Sequence, residues 1–136
     1  MKLAHLAAAV LLAASTWPAI AADLHVFTDR AHSVRGVPAG TAVVELDAAA
    51  RLEEELAASL PGDADKATSI VQRRLQQGGP DLQQRLVTAY QGVTEAWSLG
   101  VAKVPAVVFA HRYVVYGESD VSIALTRIAQ YRKEHP

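Results

Sequence analysis

The chain has 136 residues, 51% of them hydrophobic and 20% charged, the size and balance of one globular domain. Its 13 Lys and Arg against 14 Asp and Glu give a formal charge of -1, too weak a field for direct nucleic-acid binding. The absence of cysteine excludes disulfides, thiolate catalysis and Cys-ligated zinc or iron–sulfur centres, and 6% aromatic residues argue against a base-stacking platform.

The N-terminus reads as a targeting segment. Met1 and Lys2 form a short basic region, Leu3 to Ser15 is an apolar run broken only by His5, and Ala19-Ile20-Ala21 is a small-x-small cleavage site. The run is about a dozen residues, short of the roughly 20 that a membrane-spanning helix needs. Residues 1–21 are therefore expected to be a signal peptide, cleaved after Ala21 or Ala22. Residues 22–136 are then a single exported domain with no membrane span, held together by core packing alone.

In the domain, Leu24 to Thr28 is rich in strand formers, with Leu24, Val26 and Thr28 on one face and His25 and Phe27 on the other. A loop containing Gly36, Pro38 and Gly40 leads to a second strand, Thr41 to Leu46. Asp47 stands where a helix cap belongs, before a helix with Leu52 and Leu56 one turn apart that ends at Pro61-Gly62. A second helix begins at Asp63, with Ala67, Ile70, Val71 and Leu75 on one face, and stops at Gly78-Gly79. Pro80 opens a third, whose inward stripe is expected to be Leu82, Leu86, Ala89, Tyr90, Val93 and Trp97. Gly92 inside that helix predicts a kink or a close backbone contact. Gly100 ends it. From Val104 the run VPAVVFA suits a central strand buried on both faces, with Pro105 at its start. His111-Arg112 turns into a paired strand, Tyr113 to Tyr116, which Gly117 breaks. Ser119 or Asp120 caps a last helix with Val121, Ala124, Leu125 and Ile128 inward. The order predicts an α/β fold with a mixed four-stranded sheet.

Strand, short connection, strand, helices, Val-Pro into a hairpin and a final helix resembles the minimal thioredoxin-like fold with an enlarged helical crossover. That resemblance implies a cis Val104–Pro105 bond lying against the Thr28–Ser33 loop, where the cysteines of that fold would fall; this chain has none. More specifically, VFTDRAHSV, VVELD, AYQGVTEAWSLGVAKVPAVVF and YVVYGESDVSIAL resemble the small exported protein family of integrating conjugative elements, itself similar to pilus-assembly proteins of conjugative type IV secretion. The resemblance implies a periplasmic part in conjugative DNA transfer, with other conjugative secretion proteins as partners and no cofactor.

The residues that could carry chemistry are few. His25, His32, His111 and His135 show no metal-binding spacing, and no metal site is expected; the one pair placed to meet is His32 with His111. Asp29, Arg30 and His32 form a polar loop, read as a local ion pair or cap, with an enzyme or metal-binding site beside Pro105 as the rival reading. A Ser33-His32-Asp29 hydrolase lacks the nucleophile elbow and is too compressed in sequence. Glu53-Glu54-Glu55 splay around a helix. Arg73, Arg74 and Arg85, interleaved with glutamines, read as a polar outer face. No catalytic residue is assigned. Arg112, Tyr113 and Tyr116 on the hairpin are the expected protein contacts, and Pro105 and Gly117 the structural residues. A peptide binder using an exposed sheet edge is a third class.

Overall fold

A computed structural model describes residues 23–136, so the expected signal peptide over 1–21 lies outside the described residues. The elements are β1 (Leu24–Thr28), β2 (Val43–Glu45), α1 (Ala48–Ala57), α2 (Ala64–Ser98), β3 (Ala106–Phe109), β4 (Tyr113–Tyr116) and α3 (Val121–Glu134). They build a mixed four-stranded sheet in the order β2-β1-β3-β4, with β1 parallel to β2, β3 antiparallel to β1, and β4 antiparallel to β3. The α/β reading of the sequence is the architecture observed. Among the described residues no helix is long and apolar enough to cross a membrane.

Alternation along the strands divides the core in two. On one face Leu24, Val26 and Val107 meet Val121 and Ala124 of α3. On the other, Phe27, Ala106 and Val108 meet Ala96 of α2. The β1–β3 pair is thus covered from both sides, and Val26, Phe27, Ala106 and Val107 are wholly buried. A third cluster, Ala49, Leu52 and Ala89 with Leu82 and Leu86, joins α1 to α2.

The Val104–Pro105 bond is cis, and Pro105 is buried. One step beyond the Phe27–Ala106 pair, Pro105 comes level with Thr28, at the end of β1 from which the Asp29 loop departs. The Pro105 carbonyl accepts from the amide of Gly117 at 2.9 Å, and Gly117 has a φ of 75°, in the left-handed region that favours glycine.

The two expected helices over 63–99 form α2, broken at Gly79, whose φ of 56° and ψ of -152° are not helical. Asp63 caps the first limb by accepting from the amide of Lys66, and Pro80 starts the second. The buried stripe of the second limb differs from the expectation. Leu82, Leu86, Ala89, Gly92 and Ala96 face inward, while Tyr90, Val93 and Trp97 are exposed. The small residues at 92 and 96 let the helix axis come close to the sheet while Ala89 packs against α1, and the larger aromatic stripe beside them is rotated outward. Arg74 also departs from the expected outer face: it donates to the carbonyls of Leu56 and Ala58 at 2.7 and 2.8 Å, satisfying the C-terminal end of α1.

Asp120 caps α3, accepting from the amides of Ser122 and Ile123 and pairing with the Arg35 guanidinium at 3.0 Å. Arg35 exchanges backbone hydrogen bonds with Ser119 and Val121, which pins the 34–38 loop across the start of α3. Asp47 precedes α1 as expected but makes no side-chain cap bond; its carboxylate faces the backbone amide of Arg30 at 3.3 Å and Arg51 at 3.5 Å.

Gly92 tests the helix–sheet contact. A Cβ there would lie 2.5 Å from Cγ1 of Val44, a β-branched side chain stiff about χ1, so one of the two must shift. Alanine gains about 1 kcal/mol in helix propensity, and overpacking costs about 1–3 kcal/mol. Gly92→Ala is expected to lower the urea midpoint, and adding Val44→Ala to recover part of the loss; a stabilised Gly92→Ala single variant would contradict this packing.

Candidate functional site

Asp29 opens the loop after β1. Its Oδ1 accepts from the amides of Ala31 and His32, each at 2.9 Å, and lies 2.6 Å from Nδ1 of His32. The Thr28 hydroxyl donates to the His32 carbonyl. These bonds make Asp29 the organiser of a tight turn. They bring Asp29 and His32 together, while Arg30 is drawn through its backbone toward Asp47 and its side chain is exposed. The hydrogen bond from His32 holds the Asp29 carboxyl below the usual range, against a smaller opposing effect of partial burial.

The expected meeting of His32 with His111 does not occur. β1 and its flanking residues run between them, with Asp29 past one end and Asp23, whose carbonyl accepts from the amide of Ala110, at the other. His111 instead meets His25, their Nε2 atoms 3.0 Å apart. Nδ1 of His25 lies 2.8 Å from Oε1 of Glu95 on α2. His25 shares the α2 face of β1 with Phe27, whose ring stacks on it at 6.3 Å. Nothing in the spacing of residues 25, 95 and 111 suggests this line of three groups.

The hairpin candidates do not form one surface. Residues three apart on a strand face opposite ways, so Tyr113 joins Phe109 on the α3 side while Tyr116 packs with the α2 cluster. Arg112 lies over the Tyr113 ring at 5.5 Å, and Tyr113 meets Tyr131 edge-on at 6.2 Å. The Tyr116 hydroxyl accepts from the amide of Ala102 at 3.2 Å, and Lys103 lies over its ring. Both tyrosines are half-buried.

The more open apolar surface belongs to α2. Val87, Tyr90, Val93 and Trp97 are exposed along its outer side, and Trp97 is 85% exposed. Tyr90 donates its hydroxyl to Glu53 of α1, which orients its ring. A groove of about 560 Å³ opens between β2, α1 and α2, lined by Val43, Val44, Leu52 and Gly92. Of its charged residues Arg51 pairs with Glu45, Arg85 with Glu55, and Glu95 with His25 outside the groove, so it presents no converging charge to a polar ligand. Among the described residues no group of three or more His, Asp or Glu converges on a point where a metal could sit.

Asp120, like Asp29, titrates below the usual range, chiefly because the Ser122 hydroxyl donates to it, with the Ile123 amide and Arg35 adding to the effect. A carboxylate depressed in the folded state contributes stability that is complete above its unfolded value, about 3.9, and is lost as pH falls through the lower folded value. The urea midpoint is therefore expected to fall on acidification below about pH 4, and Asp120→Asn to make that fall shallower; an unchanged acid slope in Asp120→Asn would contradict this role.

A family model described as a protein of unknown function, DUF1525, matches residues 21–134, from the expected signal cleavage site to the last turn of α3. No curated protein and no solved structure matches the chain. Because the match spans both core faces and every described element, this chain belongs to the DUF1525 family.

Proposed function

We propose that this protein is a non-catalytic, thioredoxin-like periplasmic component of the conjugative type IV secretion apparatus of an integrating conjugative element, and that it works through protein contacts. The fold part of the reading is supported by the element order, two strands, helices, a Val-Pro entry into a hairpin and a final helix on one mixed sheet. The apparatus part rests on the resemblance of the long phrases around β1, β2, the second limb of α2 and the β3–β4 hairpin. The loop that would hold redox cysteines in such a fold is closed by Asp29 and His32 hydrogen bonds and contains no thiol.

The observation that carries the contact reading is Trp97. An indole 85% exposed, in line with Val87, Tyr90 and Val93, offers a partner the burial of a large apolar ring. Tryptophan and tyrosine are also the side chains that most often anchor protein interfaces.

The test is conjugation frequency in a deletion strain complemented with single variants, with protein abundance checked in each. Removing an interface anchor costs on the order of 2 kcal/mol, about 30-fold in affinity, so Trp97→Ala is expected to depress transfer sharply at normal abundance. Asp29→Ala, Arg30→Ala and His32→Ala are each expected to stay within several-fold of wild type. If Asp29→Ala or His32→Ala alone abolishes transfer while Trp97→Ala has no effect, the contact reading fails and an enzyme or metal-binding loop beside Pro105 replaces it.

A further inference from the structure

We propose that His25 and His111 bind a late first-row divalent ion (Zn²⁺, Ni²⁺ or Cu²⁺) through their Nε2 atoms, with Glu95 orienting His25 from behind.

The geometry begins with the tautomer of His25. Its Nδ1 lies 2.8 Å from a Glu95 carboxylate oxygen, so the ring proton sits there and the lone pair of Nε2 is left pointing away from α2. A carboxylate on the far nitrogen is the usual companion of a metal-binding imidazole, since it fixes the ring and raises its basicity. The His25 side chain is 20% exposed and lies against Phe27, so the ring is both held and reachable from solvent.

The second ligand is delivered by the β3–β4 turn. Ala110 and His111 have φ values of 53° and 51°, the left-handed region that hairpin turns ordinarily fill with Asn-Gly. An L side chain there is strained, and such residues gather at ligand clamps. The turn brings His111 Nε2 to 3.0 Å from His25 Nε2. Two nitrogens each about 2.05 Å from a shared ion stand about 2.9 Å apart at a right angle and about 3.3 Å apart at the tetrahedral angle, which brackets the observed separation.

Without an ion, His111 donates its Nε2 proton to His25. With one, that proton moves to Nδ1 of the same ring, so both imidazoles remain neutral and both lone pairs face the ion. Glu95 is engaged on the opposite side of His25 and no third His, Asp or Glu converges among the described residues, so water fills the remaining positions. An all-imidazole protein ligand set selects Zn²⁺, Ni²⁺ or Cu²⁺ and rejects Mg²⁺ and Ca²⁺, which require oxygen ligands.

The test uses protein expressed from the full-length sequence without a polyhistidine tag, titrated calorimetrically with Zn²⁺, Ni²⁺, Cu²⁺ and Mg²⁺. One Zn²⁺, Ni²⁺ or Cu²⁺ per chain is expected, none of Mg²⁺, and the Cu²⁺ resonance spectrum should show two imidazole nitrogens. His111→Asn, which tolerates the positive φ of the turn, is expected to abolish the stoichiometric site while the circular dichroism spectrum stays unchanged. Glu95→Gln should weaken binding on the order of 10–100-fold. His32→Ala and His135→Ala should bind as wild type does. The proposal is overturned if none of the three ions binds stoichiometrically, if His111→Asn binds as tightly as wild type, or if the Cu²⁺ spectrum shows fewer than two nitrogens. A Glu95→Gln variant with undiminished affinity would remove Glu95 from the site.

Discussion

The two-sided burial of the β1–β3 pair is the constraint on which the rest of this protein depends. Val26, Phe27, Ala106 and Val107 have no exposed surface, so the sheet centre is stable only with a helix against each face. With no cysteine in the chain, that burial is not reinforced by any disulfide. α3 is held in place by the Asp120 cap and by the bridge from Asp120 to Arg35, which also ties down the 34–38 loop. On the other face α2 approaches so closely that Gly92 has no room for a Cβ beside Val44. α1 has no contact with the sheet centre of comparable depth; it is secured to α2 by Leu52 against Ala89 and by Arg74 on its last carbonyls.

Close packing on the inner side of α2 explains what lies on its outer side. A helix that presents Ala89, Gly92 and Ala96 to the core must turn its larger residues elsewhere, and Tyr90, Val93 and Trp97 emerge in solvent. The same rigid sheet sets the two ends of β1 apart. At one end Asp29 and His32 close a turn near Pro105. At the other, the side-chain alternation of β1 puts His25 on the α2 side, where Glu95 and the His111 turn reach it from different elements. The hairpin tyrosines are divided for the same reason, since an odd spacing on β4 places Tyr113 and Tyr116 under different helices.

Much of the fold was legible in residue order. The strand-forming LHVFT, the continuous apolar AVVF after Pro105 and the YVVY return are all strands, because each matches a two-sided or paired strand pattern over its full length. Gly79 and Pro80 mark the break in α2 where their backbone requirements demand one, and Asp120 caps α3. The second strand is shorter than TAVVEL suggested, since only Val43–Glu45 pair with β1 at the sheet edge. Asp47 was legible as the residue before α1 and one turn from Arg51, but its carboxylate also faces the backbone amide of Arg30, a partner that sequence proximity does not reveal.

What the sequence determined by itself was therefore local: the elements, their breaks, the absence of thiol chemistry and the Asp29–His32 turn, whose partners are three residues apart. Tertiary structure decided which stripe of α2 is buried, because adjacent apolar stripes on one helix differ only in which can approach a sheet, and small residues approach closest. It also decided that His25 meets Glu95 and His111. Those residues are 70 and 86 positions from His25, and only the sheet register and the path of α2 over it bring them within hydrogen-bond distance.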